Sequence, residues 1–95
     1  MPVPIEWDLT GKTAIVTADR RGWTPYLVSA LAEAGADIAV AGANGSDAAE
    51  AAEAAREHGR TALVIETDVT RSDEVEAAVE RTARELGSVD ILVNN

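Results

Sequence analysis

The clearest indication of the fold comes from the segment TAIVTADRRGWTP, residues 13–25. It opens with a compact apolar run, Thr13–Thr17, without the polar alternation of a half-exposed strand, which is typical of a strand buried on both faces. A polar loop, Ala18–Trp23, follows. Thr24 and Pro25 then predict the N-cap and the first residue of a helix, because proline fits the first helical position without losing a hydrogen bond.

Strands and helices continue to alternate after this stretch. Three more apolar runs predict strands at Ile38–Ala41, Ala62–Ile65 and Ile91–Val93. Helical spacing predicts three helices, which run from Thr24 to a C-cap at Gly35, from Asp47 to near Gly59, and over Asp73–Leu86 with Gly87 closing the last. The order β-α-β-α-β-α-β predicts an α/β fold, a doubly wound parallel sheet of four strands with helices on both faces.

Two of the helices carry more specific local predictions. Asp47 and Glu50 have the spacing of a capping box at the start of the second helix, and Asn44-Gly45 predicts the turn before it. The third helix has an apolar stripe at helical spacing, made of Val75, Ala78, Val79, Thr82, Ala83 and Leu86.

Composition bounds the class of protein. A chain of 95 residues permits at most one small domain, and much of its 46% hydrophobic content is alanine, which buries little surface. A net charge of −9 argues against a nucleic-acid partner. No apolar run approaches the ~20 residues of a membrane span, and the N-terminus has no signal pattern, so a cytoplasmic protein is predicted. Without cysteine, and with His58 alone, no metal site is predicted.

Four polar or turn segments fall at the C-terminal ends of the predicted strands. They are the loop after Thr17, the turn after Ala41, the segment Asp68-Val69-Thr70, and Asn94-Asn95. Open α/β sheets bind ligands at this edge. We therefore expect a ligand site there.

Three segments give the chain a family resemblance. Leu9–Lys12 leads into the first strand, Leu31–Ala36 ends the first helix, and Val89–Asn95 runs from the fourth strand into an Asn-Asn pair. In this order the chain resembles the short-chain dehydrogenase/reductase family. The resemblance implies that residues 1–95 are the N-terminal part of an NAD(P)-binding, Rossmann-like domain, truncated after the fourth strand. It also implies hydride transfer to or from a carbonyl or alcohol.

The resemblance implies roles for individual residues. Asp68 would hydrogen-bond the adenine amino group, Val69 would line the adenine pocket, and Asn94 would lie beside the adenine ribose. Taken without the resemblance, Asp68 is better explained as a loop carboxylate that caps the next helix, whereas the resemblance favours the adenine role. The loop residues Thr17, Arg20, Arg21 and Gly22 would face the cofactor, although Arg20-Arg21 is also consistent with an exposed loop pair.

The phosphate loop departs from the family pattern of Thr-Gly, three residues, then Gly-X-Gly. Ala18 and Thr24 replace two of the three glycines, so that only Gly22 remains. Pro25 removes an N–H donor, and a Thr24 hydroxyl at the N-cap would occupy others that a phosphate uses. We therefore expect dinucleotide binding to be weak or lost.

The same resemblance favours NADP over NAD. Gly42 stands at the end of the second strand, where NAD-preferring members carry an acid, and Arg21 stands where NADP-preferring members often carry a base. Ala43 argues the other way, because many NADP enzymes have arginine there.

No catalytic residue can be assigned in this chain. The family's Ser, Tyr-X-X-X-Lys and Asn follow the fourth strand, and Tyr26 lies in the first helix instead. The chain alone is therefore predicted to be inactive, as a fragment of a longer oxidoreductase whose full-length relatives are homo-oligomers. The alternatives are a non-catalytic nucleotide-binding or structural remnant, and a half-domain that needs a partner chain. In each case Ile91–Val93 is predicted to be an exposed sheet edge, and stability to be marginal.

Overall fold

A computed structural model of the chain describes residues 8–19, 21–43 and 46–94. Strands and helices alternate as predicted, in the order β1 Thr13–Thr17, α1 Thr24–Glu33, β2 Asp37–Gly42, α2 Ala48–Glu57, β3 Ala62–Glu66, α3 Ser72–Leu86 and β4 Ile91–Val93. The predicted Asn44-Gly45 turn lies outside the described residues.

The strands form one parallel sheet in the order β3-β2-β1-β4. β1 lies inside the sheet, and its residue Val16 pairs with Val40 of β2 on one side and Val93 of β4 on the other. Four of the five β1 residues are buried, which confirms the prediction from their unbroken apolar run. Because all strands run the same way, their carboxyl ends meet at one edge of the sheet.

Helices cover both faces of the sheet, as predicted. On one face α1 and α2 pack together, and α2 contributes the alanine stripe Ala48, Ala51, Ala52 and Ala55, all buried. These alanines belong to the same core cluster as Val16, Val28 and Ile38. On the other face Ala78 of α3 packs with Ile15, Ala39, Ala41 and Ile65. The fold is a partial Rossmann-like α/β fold.

The apolar stripe predicted for α3 is only partly buried. Of its six residues only Ala78 and Thr82 are buried, whereas Val75 and Val79 each expose more than a third of their surface. Leu92 of β4, on the same side, is 67% exposed. The stripe is present, but it is not buried along its whole length, because α3 covers only part of this sheet face.

The helix ends differ in detail from the predictions. Gly87 is the C-cap of α3 as expected, but Ala34, one residue before Gly35, is the C-cap of α1. α1 begins at Thr24 with Trp23 as its N-cap, so the prediction that Thr24 is the N-cap is wrong. No helix in the described part of the chain combines the length and apolarity needed to cross a membrane.

Asp90 joins the start of β4 to the start of β1. Its backbone N–H donates to the Thr13 carbonyl at 2.9 Å, and its carboxylate Oδ2 accepts the Thr13 N–H at 2.9 Å. The Ser88 hydroxyl donates to the same oxygen at 2.7 Å. The Ser88 hydrogen bond, then the Thr13 N–H and to a lesser degree the charge of Lys12, hold the pKa of Asp90 below its ordinary value of 3.8.

Asp90→Asn is expected to lower the melting temperature in a pH-dependent way. Because the folded-state pKa lies below the unfolded one, ionised Asp90 stabilises the fold fully above pH 3.8 and loses that contribution as the pH falls through the folded value. The difference in melting temperature between wild type and variant should be large near pH 7 and smaller near pH 3. Glu80→Gln, on the exposed side of α3, is the control. A difference that is equal at both pH values would contradict this assignment.

Candidate functional site

Thr17 lies at the carboxyl end of β1, between the ends of its two neighbours. Its hydroxyl is 3.5 Å from the Val93 carbonyl and 3.4 Å from the side-chain carbonyl oxygen of Asn94. On the other side the N–H of Ala18 donates to the Ala41 carbonyl at 2.8 Å. The structure thus brings Thr17 and Asn94 into contact although they are 77 residues apart in the sequence.

The loop after β1 leads into a groove at the start of α1. Arg21, Gly22, Trp23 and Tyr26 line this groove, and the two aromatic side chains are 65% and 79% exposed. Gly22 has φ +82°, which other residues rarely adopt. The Arg21 N–H donates to the Asp19 carboxylate at 2.8 Å. Arg20 lies outside the described residues.

The backbone N–H groups of Gly22 and Trp23 have no acceptor among the residues that the structure describes. They lie immediately before α1, where the helix dipole favours negative charge. This groove therefore offers two N–H donors and an adjacent arginine to an anion.

The first N–H of α1 is used differently from the prediction. The Thr24 N–H donates to the carboxylate of Asp47 at 3.2 Å, and Thr24 itself is fully buried. Asp47 is the N-cap of α2, but its side chain makes no capping hydrogen bond to that helix. The predicted Asp47–Glu50 capping box is therefore wrong, because the Asp47 carboxylate reaches across to the β1–α1 loop.

A close approach between two loops sets the shape of the edge beside β2. A Cβ added to Gly42 would lie 2.7 Å from the Ser46 hydroxyl and 2.8 Å from the Cβ of Ala18. Ala18 itself is accommodated, since no residue other than glycine has a positive φ in the described part of the chain. The Ala18 methyl therefore uses space that the absence of a side chain at Gly42 leaves open.

Asp68 follows β3 and is exposed at the same edge. Its Oδ1 accepts the Thr70 N–H at 3.0 Å and the Thr70 hydroxyl at 2.6 Å. The hydroxyl first, then the N–H and the charge of Arg71, lower the pKa of Asp68 from 3.8, so the side chain is an ionised acceptor at neutral pH. The carboxylate shapes the turn before α3, and it does not cap that helix, whose N-cap is Arg71.

Val69 borders an apolar cavity of about 60 Å³ between the sheet and α3. Its other lining residues include Thr17, Ala41, Thr67 and Leu92. Val69 is about half exposed, so it forms part of the mouth of this cavity. The predicted site residues Thr17, Arg21, Gly22, Asp68, Val69 and Asn94 all lie along the carboxyl edge of the sheet.

The structure adds two residues that the sequence reasoning missed. Asp47 contacts the loop from α2, and Glu66 of β3 pairs with Gly42. Glu66 lines a groove together with Gly42, Ala43 and Ser46. Both depend on pairing between distant segments, which no local pattern reveals. No group of three or more acidic, histidine or cysteine side chains within the described ranges is placed to hold a metal ion.

Residues 12–95 match the family model of the short chain dehydrogenases. The chain belongs to this family. Members bind NAD or NADP and are oxidoreductases, which agrees with the resemblance inferred from the sequence.

Individual relatives give the same result. The short chain dehydrogenase/reductase astE of Aspergillus oryzae is 42% identical over 91 residues, which are 95% of this chain and 35% of that protein. The 3-oxoacyl-[acyl-carrier-protein] reductase FabG of Staphylococcus epidermidis is 38% identical over 85 residues, which are 88% of this chain and 35% of that protein. The chain thus spans about a third of the length of the curated relatives it matches.

Solved structures of the family superpose well. A short-chain dehydrogenase/reductase from Serratia marcescens has a TM-score of 0.81 at 36% identity, over 92% of this chain and 36% of that one. A hydroxysteroid dehydrogenase from Escherichia coli has a TM-score of 0.76 at 31% identity, over 94% of this chain and 38% of that one.

Gly42→Ala is expected to lower the free energy of unfolding by about 1–3 kcal/mol, because the added methyl overlaps the Ala18 Cβ and the Ser46 hydroxyl. Removing the Ala18 methyl should recover part of this loss. Denaturant unfolding of Gly42→Ala, Ala18→Gly and the double variant forms the cycle that tests it. Strictly additive effects would show that the two positions do not share this space.

Proposed function

We propose that residues 1–95 form the N-terminal part of an NAD(P)-binding Rossmann domain, in an oxidoreductase that transfers hydride to or from a carbonyl or alcohol. The observation that carries the proposal is the meeting of the predicted cofactor residues at one sheet edge, in a chain of this family. We assign no residue of this chain to the chemical step, and the chain alone is expected to be inactive. A cytoplasmic, homo-oligomeric full-length protein is part of the same proposal.

The proposed cofactor lies along the carboxyl edge of the sheet. Its pyrophosphate is held at the start of α1 by the N–H groups of Gly22 and Trp23, with Arg21 beside them. Its adenine meets Asp68 and Val69 at the end of β3. Thr17 and the amide side chain of Asn94 contact each other at the ends of β1 and β4, and Asn94 is assigned to the adenine ribose by its place in the family motif.

The affinity of this chain is proposed to be low. Only Gly22 remains of the three loop glycines, Pro25 offers no N–H, and the Thr24 N–H is already taken by Asp47. Asp19 adds a negative charge to the loop. We therefore expect a Kd for NADPH above ~0.1 mM, which corresponds to a binding free energy smaller in magnitude than about 5.5 kcal/mol.

An NMR titration of ¹⁵N-labelled chain with millimolar NADPH tests the proposed site. Shifts are expected at the amides of Gly22, Trp23, Val69 and Asn94. Micromolar affinity would contradict the low affinity inferred from the loop. No response at millimolar NADPH would contradict the nucleotide site and favour the alternative, a structural remnant, for which the lost loop glycines are the supporting observation.

Asp68→Asn is expected to weaken NADPH binding by about threefold to tenfold, since a neutral amide oxygen accepts a hydrogen bond less strongly than a carboxylate. Asp8→Asn is a matched control. Asp8 makes the same turn with Thr10, accepting its N–H at 2.8 Å and its hydroxyl, but it precedes β1 and so lies toward the opposite edge. Equal weakening by both substitutions would contradict a role for Asp68 at the adenine.

NADP is proposed as the preferred cofactor, and the negative charge of Glu66 is expected to reduce the difference in affinity between NADP and NAD. Gly42 presents no carboxylate, and an acidic side chain there would collide with Ala18 and Ser46. Glu66, opposite Gly42, places one negative charge in the same groove, where the 2′-phosphate is expected.

Glu66→Gln is therefore expected to tighten NADPH binding by about twofold to fivefold and to leave NADH binding unchanged, the range that a single exposed charge pair contributes. Arg21→Gln should weaken NADPH more than NADH. Titrations of both dinucleotides at low salt measure these ratios. A parallel change in both affinities would show that neither residue faces the 2′-phosphate.

A further inference from the structure

Asp47 belongs to the start of α2, but its side chain serves another part of the fold. Only 8% of its surface is exposed. Its Oδ1 accepts the backbone N–H of Asp19 and its Oδ2 that of Thr24, both at 3.2 Å. Its own N–H donates to the Asp19 carbonyl at 2.8 Å. One residue thus joins the loop after β1, the first residue of α1 and the start of α2.

The surroundings of this carboxylate suit a negative charge. It lies at the N-termini of two helices, α1 through Thr24 and α2 through its own position, and both dipoles place partial positive charge there. Backbone N–H groups bind a charged acceptor more strongly than a neutral one. An asparagine in its place could accept only through one oxygen, because its NH₂ group is a donor.

The two N–H groups that Asp47 holds enclose the segment proposed to bind phosphate. Asp19 and Thr24 are its two ends, and Gly22 and Trp23 lie between them. The positive φ of Gly22 turns the chain within this segment. With both ends fixed to one carboxylate, the N–H groups of Gly22 and Trp23 are left without an intramolecular acceptor among the described residues.

We propose that Asp47 is a positioning residue for the dinucleotide site. Its carboxylate acts as an internal anion that holds the backbone N–H groups of Asp19 and Thr24, and thereby leaves the N–H groups of Gly22 and Trp23 available to a phosphate. The ligand part of this proposal rests on the proposed function, whereas the fixing of the loop is independent of any ligand.

The loop part is tested by amide hydrogen exchange measured by NMR on the chain without ligand. The Asp19 and Thr24 amides are expected to be protected in the wild type, and to exchange about tenfold faster or more in Asp47→Asn. Glu50→Gln, an exposed carboxylate in the first turn of the same helix, should leave both amides protected. Unprotected Asp19 and Thr24 amides in the wild type would overturn the proposal, and this result does not require the variant to fold.

The ligand part is tested by NADPH titration of Asp47→Asn. The expected Kd is about fivefold to tenfold higher, in line with the loss of a charge-assisted hydrogen bond, and the shifts at Gly22 and Trp23 are expected to disappear while those at Val69 and Asn94 persist. If Asp47 only stabilised the fold, its substitution would weaken the NADPH-induced shifts at all four amides, and not only those at Gly22 and Trp23. An unchanged Kd in a folded variant with exchanging amides would overturn the positioning role.

Failure of the proposed function gives a different result. If the wild type shows no response to NADPH, the dinucleotide site and the ligand part of this proposal both fall. The exchange of Asp19 and Thr24 then still decides whether Asp47 fixes the loop.

Discussion

β1 pairs in parallel with a strand on each side, and this pairing determines where the other elements and the candidate site lie. Because β2 and β4 both run parallel to β1, the loops after these strands emerge at one edge. Thr17 and Asn94, far apart in sequence, meet there for this reason alone. Each strand still needs cover on both faces, which the helices provide unevenly, since α1 and α2 close one face and α3 only part of the other.

Small side chains determine how closely the elements of this edge approach one another. Because the buried residues of α2 are alanines, this helix can lie close to the sheet and to α1. Ala18, which stands where the family pattern has glycine, fits because Gly42 has no side chain. The loss of one loop glycine is thereby offset by a glycine on the neighbouring strand. The same packing leaves no room for a carboxylate at the end of β2, where NAD-preferring members carry an acid. The position of Ala18 in the phosphate loop is therefore connected with the proposed preference for NADP.

Local sequence patterns predicted most of the fold, but few of the hydrogen bonds between distant residues of the candidate site. The strand at Thr13–Thr17 has the predicted bounds, and α3 begins one residue before Asp73, because apolar periodicity and turn residues are local signals. The role of Asp47 was missed, since its spacing to Glu50 matches a capping box while its actual partners lie 23 and 28 residues earlier. The helical spacing of Val75 and Val79 does not reveal that both remain more than a third exposed, because burial depends on what packs against α3 and not on the helix itself.

The most direct measurement is a crystal structure of the chain grown with saturating NADPH. Pyrophosphate oxygens are expected at hydrogen-bonding distance, about 2.9 Å, from the N–H groups of Gly22 and Trp23, with the adenine against Asp68 and Val69. A dinucleotide bound at the opposite edge of the sheet, or an adenine remote from Asp68, would contradict this expectation.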